Sequence, residues 1–257
     1  METPPILWHI PLSHFNEKVR WTLDHKGIAH RRQVLGPNYL FRAWRATGQG
    51  ALPILWLDGK AIHDSTGIIA ALEQRYPERP LYPRDAAARQ HALDLEDYFD
   101  ENLGPQVRAA IVTPLFRHDP DVALRVLTTG MPEQAYKTLR PLVSVFPSFY
   151  RWRHKISDAK LEADRASVFA ALDRIERERQ GRPYLVGHEF TVADLTAAAL
   201  IGPALQAPEI QYPLTVELPP YLKEYQAKAL QHPAGQWALG IYRRHRGRSA
   251  EISRRAA

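Results

Sequence analysis

The sequence contains no cysteine, and that absence removes whole chemistries. Without a thiol there is no cysteine nucleophile, no paired-cysteine redox motif, no disulfide framework and no Cys-ligated zinc or iron–sulfur site. Any thiol chemistry must use an imported thiol. Long apolar runs are missing too: the least polar stretch, Leu195 to Leu205, is about half of the roughly 20 residues a membrane span needs, and Gly202 and Pro203 interrupt it. The opening METPPILWHIPL has no charged leader region and is broken by prolines and His9, so it does not read as a targeting segment and a cytoplasmic location is expected. Internal repeats are absent, and the one biased tract is the arginine-rich end.

What remains is ordinary for a globular protein. With 257 residues, 45% hydrophobic and 24% charged, the chain is one large domain or two average ones. It is long enough to bury roughly three-quarters of its unfolded surface without metal or disulfide staples. The formal charge of +6 invites a polyanion partner, but most of it sits at one end. Residues 243–257 hold six arginines against Glu251, leaving 28 basic and 27 acidic residues before them. The body is nearly neutral, and the terminal run reads as a solvated end rather than a nucleic-acid or membrane site.

The grammar of the chain changes near residue 80. Ile6 to Ile10 is a strand-like run, and Phe15, Val19 and Leu23 then recur at helical spacing up to Gly27. A second strand around Gln33 to Leu35 leads to a short helix with Leu40, Phe41 and Trp44. Leu52 to Leu57, the turn Asp58-Gly59 and Ala61 to His63 form the strongest hairpin signal. Asp64-Ser65 opens a helix through Ile68, Ile69 and Leu72. The order is βαβαββα. Pro77, Pro80 and Pro83 then form a stiff boundary. The remainder reads as helices: one through Leu95, Phe99 and Leu103 ended by Gly104-Pro105, one through Leu161, Val168, Leu172 and Ile175, and one opened by the capping box Thr191 to Asp194, with Phe190 and Leu195 as a staple. The expected division is an α/β domain over 1–80, a linker over 81–88 and an all-helical domain over 89–257 that includes the basic tail. Prolines make 111–155 hard to segment.

Ser13-His14-Phe15-Asn16-Glu17-Lys18-Val19-Arg20-Trp21 with Lys26-Gly27-Ile28, then Leu52-Pro53-Ile54-Leu55, Asp64-Ser65-Thr66, Leu81-Tyr82-Pro83 and Gly181 to Gly187 running into Phe190 to Asp194 resemble the cytosolic glutathione transferases. The order and spacing of these segments carry the likeness over most of the chain. The resemblance implies a thioredoxin-like domain followed by a helical one, glutathione as co-substrate, no metal and a homodimer. The activity it implies is conjugation of glutathione to a hydrophobic electrophile. Isomerisation, dehalogenation and ether cleavage use the same thiolate, and a non-catalytic ligand- or protein-binding module uses the same fold.

A thiol with pKa near 8.5 is only about 3% ionised at pH 7, and lowering that value by two units takes about 2.7 kcal/mol. A hydroxyl donated to the sulfur contributes about 1.5–3 kcal/mol and a helix N-terminus about 0.3–1. Ser13 stands where both are available, and by resemblance it holds the family's catalytic serine or threonine position; the competing reading is a plain helix cap. Asn16, with an amide to donate, is the alternative stabiliser. His14 is read as structural. The resemblance further implies that Pro53 is cis, against a trans strand-start proline, so that Leu52 offers its backbone to the cysteinyl part of glutathione. Asp64 and Ser65 would hold the γ-glutamyl zwitterion, against a plain cap, with Gln49 as a further contact. Tyr98, Asn102 and Arg108 are candidate walls of the electrophile pocket, and Phe116, Phe146, Phe149, Tyr150 and Trp152 in 111–155 a candidate cover over it. Asp194 is assigned to folding.

Overall fold

Each strand-like run closes into a four-residue strand: β1 Ile6–His9, β2 Arg31–Val34, β3 Ile54–Leu57 and β4 Lys60–His63. The computed structural model describes residues 3–36, 38–143, 158–214 and 216–252. The sheet order is β2-β1-β3-β4, with β1 parallel to β2 and antiparallel to β3. Asp58 and Gly59, at φ 49° and 79°, take the left-handed conformation that a tight hairpin between β3 and β4 demands. Helices α1 His14–His25, α2 Tyr39–Thr47 and α3 Ser65–Arg75 complete the βαβαββα order. Leu7, Leu55 and Leu57 from the sheet pack with Val19 and Leu23 of α1 and Ile68 and Leu72 of α3. The α2 helix forms where expected, but its apolar residues face outward: Phe41 and Trp44 are 64% and 62% exposed, and Ala43 alone is buried.

The second part is helical: α4 Ala86–Asn102, α5 Gly104–His118, α6 Pro120–Leu127, α7 Glu133–Leu139 with a 3-10 turn at Arg140–Leu142, α8 Asp158–Arg179, α9 Val192–Leu205, α10 Pro220–Gln231 and α11 Pro233–His245. Gly104-Pro105 ends α4 as expected and immediately starts α5, where a proline in the first turn sacrifices no hydrogen bond. The α9 helix is apolar all round and packs against α1, α4, α5 and α11. Its capping box forms, Asp194 accepting from the backbone and hydroxyl of Thr191 at 2.9 Å. Leu81, within the proline boundary, is buried, and its carbonyl accepts from the Val192 N–H at 2.9 Å. Within 111–155, Phe116 is buried with Leu115, Ala123 and Leu222, while Phe146, Phe149, Tyr150 and Trp152 lie outside the described residues.

The arginine-rich end corrects the expectation of a solvated tail. Arg246 is fully buried, bonded to Glu17 and Asp24 of α1, and Trp21 donates its indole N–H to the His245 carbonyl. The chain then runs along the sheet edge: Ala250 N–H meets Asp24 at 2.8 Å, and Ile252 N–H meets the His30 carbonyl at 2.8 Å. Two acids spaced two turns apart on one face of α1 supply what an arginine needs to leave water. Deleting 249–257 removes the backbone bonds of the strap but not Arg246, and is expected to lower stability by about 1–3 kcal/mol, read as an earlier urea midpoint.

Candidate functional site

The register gathers the expected site residues at one end of the sheet. Trp8 pairs with Ile54, and Ile54 with His63, so the C-terminal end of β1, the N-terminal end of β3 and the C-terminal end of β4 share an edge. Ser13 follows the first, Leu52-Pro53 precedes the second and Asp64-Ser65 follows the third. The Leu52-Pro53 bond is cis, so the trans alternative falls away.

Ser13 occupies the N-cap position of α1 at φ −76° and ψ 124°, yet its hydroxyl makes no capping bond to the helix. It is instead the acceptor for Asn16 Nδ2 at 2.7 Å. Asn16 is fully buried and its Oδ1 accepts the Ile10 N–H at 3.2 Å, which fixes the amide orientation: an oxygen must face that donor, so an NH2 must face Ser13. A serine oxygen has two lone pairs and one hydrogen. With the amide on a lone pair, the hydrogen is left to donate, and Ser13 is half-buried. The two residues weighed as alternatives are thus hydrogen-bonded to each other, with Asn16 orienting Ser13.

The loop carrying Ser13 is held from behind by Arg20. Its guanidinium, 1% exposed, donates to the Ile10 carbonyl at 3.2 Å, the Pro11 carbonyl at 2.7 Å and Glu17 Oε2 at 2.9 Å, and contacts His9 Nδ1 at 3.0 Å. His14 is buried with Nε2 donating to the Gly104 carbonyl at 2.9 Å. Phe15 lies over Gly104 so closely that a Cβ there would meet its ring at 2.4 Å. The start of α1 is thereby fastened to the α4–α5 junction.

Burial first, then the nearby Arg108 charge, pushes His14 down to about 3. Arg108, half-buried on α5, therefore puts positive charge at the Ser13 end of α1. Burial and Arg20 push His9 down to about 2, and burial with His245 pushes His25 down to about 4. The sign follows: the unfolded chain binds these protons near pH 6.5 and the folded chain does not, so stability present above pH 6.5 is lost as pH falls toward 3. At pH 5 one such histidine costs about 2 kcal/mol. His14→Gln keeps a donor for Gly104, and thermal unfolding of that variant is expected to show a shallower fall between pH 7 and 5 than the parent.

At the other side, Asp64 adopts φ 66°, a conformation few side-chain-bearing residues hold without reason. Its carboxylate accepts the Gly67 N–H at 3.3 Å and is otherwise exposed, while Ser65 is buried at the start of α3. Behind them is a cluster that sequence reasoning missed. Lys18 is fully buried, with Nζ 2.8 Å from Glu96, 2.6 Å from Asp100 and 3.2 Å from the Thr66 hydroxyl. Burial pushes Glu96 up; it also works against the Lys18 charge, but Glu96 and Asp100 hold Lys18 above its usual range. The cluster ties α3 to α1 and α4. Its three segments, at Lys18, Thr66 and Glu96 with Asp100, lie too far apart in sequence for any local spacing to signal it.

The remaining expected residues scatter. Gln49 is exposed in the loop after α2, its N–H on Thr47 Oγ1. Tyr98 packs edge-on to Phe99 and lies under Arg174 of α8, and Asn102, one turn on, donates to the Tyr98 carbonyl. Tyr98 is thus directed to α8 and Asn102 is exposed, whereas Asp100 faces α1.

Models of the N-terminal and C-terminal domains of glutathione S-transferases match residues 7–80 and 158–225, together more than half the chain. Among curated proteins there is no match. Solved structures similar in fold include the β-etherase LigF from Sphingobium sp. strain SYK-6, 20% identical, with a TM-score of 0.61 over 93% of this chain and 99% of that one. A glutathione S-transferase from Rhodospirillum rubrum is 22% identical, with a TM-score of 0.55 over 91% of each chain. A theta-class glutathione S-transferase from Xanthomonas axonopodis pv. citri, solved with glutathione bound, is 18% identical, with a TM-score of 0.55 over 93% of this chain and 98% of that one.

Proposed function

The chain belongs to the glutathione S-transferase family, and from that premise we propose that it binds glutathione at the sheet edge, ionises its thiol against Ser13 and conjugates it to a hydrophobic electrophile. The observation that carries this reading is the polarity of the Asn16–Ser13 hydrogen bond. It leaves the hydroxyl hydrogen free for a thiolate, in a position where the first turn of α1 and Arg108 also favour negative charge. In this mechanism Leu52 offers its backbone to the cysteinyl unit, Ser65 and the first-turn N–H groups of α3 receive the γ-glutamyl carboxylate, and Asp64 receives the ammonium. Gln49 reaches glutathione from the α2 side. The sulfur attacks carbon, the leaving group departs with its electron pair, and no covalent bond to the protein forms. The protein supplies orientation and electrostatic stabilisation. Arg108, whose charge reaches His14, is the first residue expected to meet the electrophile; Tyr98, under Arg174 of α8, and Asn102 beside it would meet only a substrate that extends toward α8. The same reading carries a homodimer in the cytoplasm, with light scattering as the check on the dimer.

Calorimetric titration with glutathione and with S-methylglutathione at pH 7 tests the binding step. Saturable binding of both, with proton release for glutathione alone, is the expected result. Failure of both ligands to bind would remove the reading and leave the non-catalytic module. A second reading, ether cleavage, draws support from the likeness in fold to the β-etherase: the thiolate then displaces an oxygen leaving group. Mass analysis of products from aryl halides and from β-aryl ethers separates the two.

A further inference from the structure

We propose that Arg246, at the far end of the chain, is a positioning residue for thiol ionisation, acting through Glu17 and Arg20 on the loop that carries Ser13. The proposal rests on the reading of Ser13 just given.

The link is continuous. Arg246 Nε is hydrogen-bonded to Glu17 Oε1, and its Nη1 to Asp24 Oδ2 at 3.0 Å. One guanidinium therefore bridges two acids on the same face of α1. Glu17 gives its other oxygen to Arg20, which meets it at 2.9 Å through both Nε and Nη2. The remaining donors of Arg20 reach the carbonyls of Ile10 and Pro11, with Pro11 at 2.7 Å. Those two carbonyls begin the turn that ends at Ser13, whose own N–H returns to Ile10 at 3.2 Å. The Ile10 N–H holds the Asn16 amide that orients the Ser13 hydroxyl.

Geometry makes the far end matter. A glutamate held on one side only is free to rotate, and a guanidinium locks in plane best when its carboxylate is fixed. Arg246 fixes Glu17 and is itself fixed, being fully buried with its guanidinium beside the Trp21 ring. Tyr212 lies 4.9 Å from the Arg20 guanidinium, closing its open face. Arg246 thus sets the plane of Arg20 through Glu17, and Arg20 sets the turn. The Leu52-Pro53 and Asp64-Ser65 elements lie on other strands and make no part of this chain of bonds.

The test follows the ultraviolet absorbance of the bound thiolate against pH for the full-length parent, Arg246→Lys, Arg20→Lys and Ser13→Ala. Binding of S-methylglutathione is measured beside it. A lysine keeps the charge but cannot bridge two partners in a plane. Both lysine variants are expected to raise the midpoint of the thiol titration by about one pH unit, with S-methylglutathione affinity within about twofold of the parent. A merely structural role would lower the melting temperature and leave the midpoint where it was. An unmoved midpoint in folded Arg246→Lys, with Ser13→Ala moving it, overturns the Arg246 role alone. If Ser13→Ala does not move it either, the Ser13 reading fails and this proposal with it. Should Arg246→Lys not fold, Glu17→Gln severs the same link from the other side, and its titration decides by the same criterion.

Discussion

Replacing Ser13 by alanine is expected to raise the apparent pKa of bound glutathione by about 1–2 units and to slow conjugation about 10- to 150-fold at pH 7. Both figures restate the loss of one hydrogen bond to an anion, about 1.5–3 kcal/mol. Affinity for S-methylglutathione should change little, because a thioether has no charge to stabilise. The loss should shrink as pH rises above the free thiol's own value, since the substrate then arrives ionised. Ser13→Thr keeps the hydroxyl and should retain most of the rate. A pH–rate profile for Ser13→Ala that overlays the parent would show that the hydroxyl does not act on sulfur.

Asn16→Asp sharpens the same prediction by changing one atom type. The aspartate still accepts the Ile10 N–H as Asn16 does, but it has no hydrogen to give to Ser13. The serine would then turn its hydrogen toward the carboxylate, and a negative charge would stand where the thiolate must form. The expected loss equals or exceeds that of Ser13→Ala, with the titration midpoint displaced upward. An Asn16 that merely filled space would tolerate this near-isosteric change.

Features set by local rules were legible in the sequence. The hairpin rested on Asp58-Gly59, whose left-handed φ values are those such a turn requires. The start of α9 rested on a four-residue capping box. The place of Ser13 at the start of α1 was legible from the strand-to-helix junction, while its proposed role came from the family resemblance. The polarity of its hydrogen bond was not legible, because that depends on the Ile10 N–H choosing which end of the Asn16 amide faces Ser13. Arg246 was illegible for a stronger reason. In a run of six arginines nothing local separates the buried one from its neighbours; its burial is decided by Glu17 and Asp24, more than 200 residues away. The Lys18, Thr66, Glu96 and Asp100 cluster has the same cause, since it joins three helices. The α2 helix misleads in the opposite direction: Phe41 and Trp44 have core composition and solvent exposure.

Asp194→Ala is expected to destabilise the protein by about 3–7 kcal/mol. The carboxylate is fully buried and accepts three bonds, from Leu185 N–H at 2.8 Å and from the N–H and hydroxyl of Thr191 at 2.9 Å. Removing it strands two backbone donors away from water, each costing about 1–3 kcal/mol, and loses a helix cap of about 1 kcal/mol. The damage falls on α9, the apolar helix against which α1, α4, α5 and α11 pack, so the whole chain should unfold earlier in urea. Asp194→Asn, which keeps one acceptor oxygen, should fall between the two. In whatever fraction of Asp194→Ala folds, the thiol titration should match the parent, because no bond from Asp194 reaches the Ile10 to Ser13 turn. That contrast is what distinguishes it from Arg246. Both residues are buried and charged, but only one is linked by hydrogen bonds to the turn where the thiolate is to form. An urea midpoint for Asp194→Ala within the error of the parent would mean that α9 starts without its cap, its packing alone fixing the first turn.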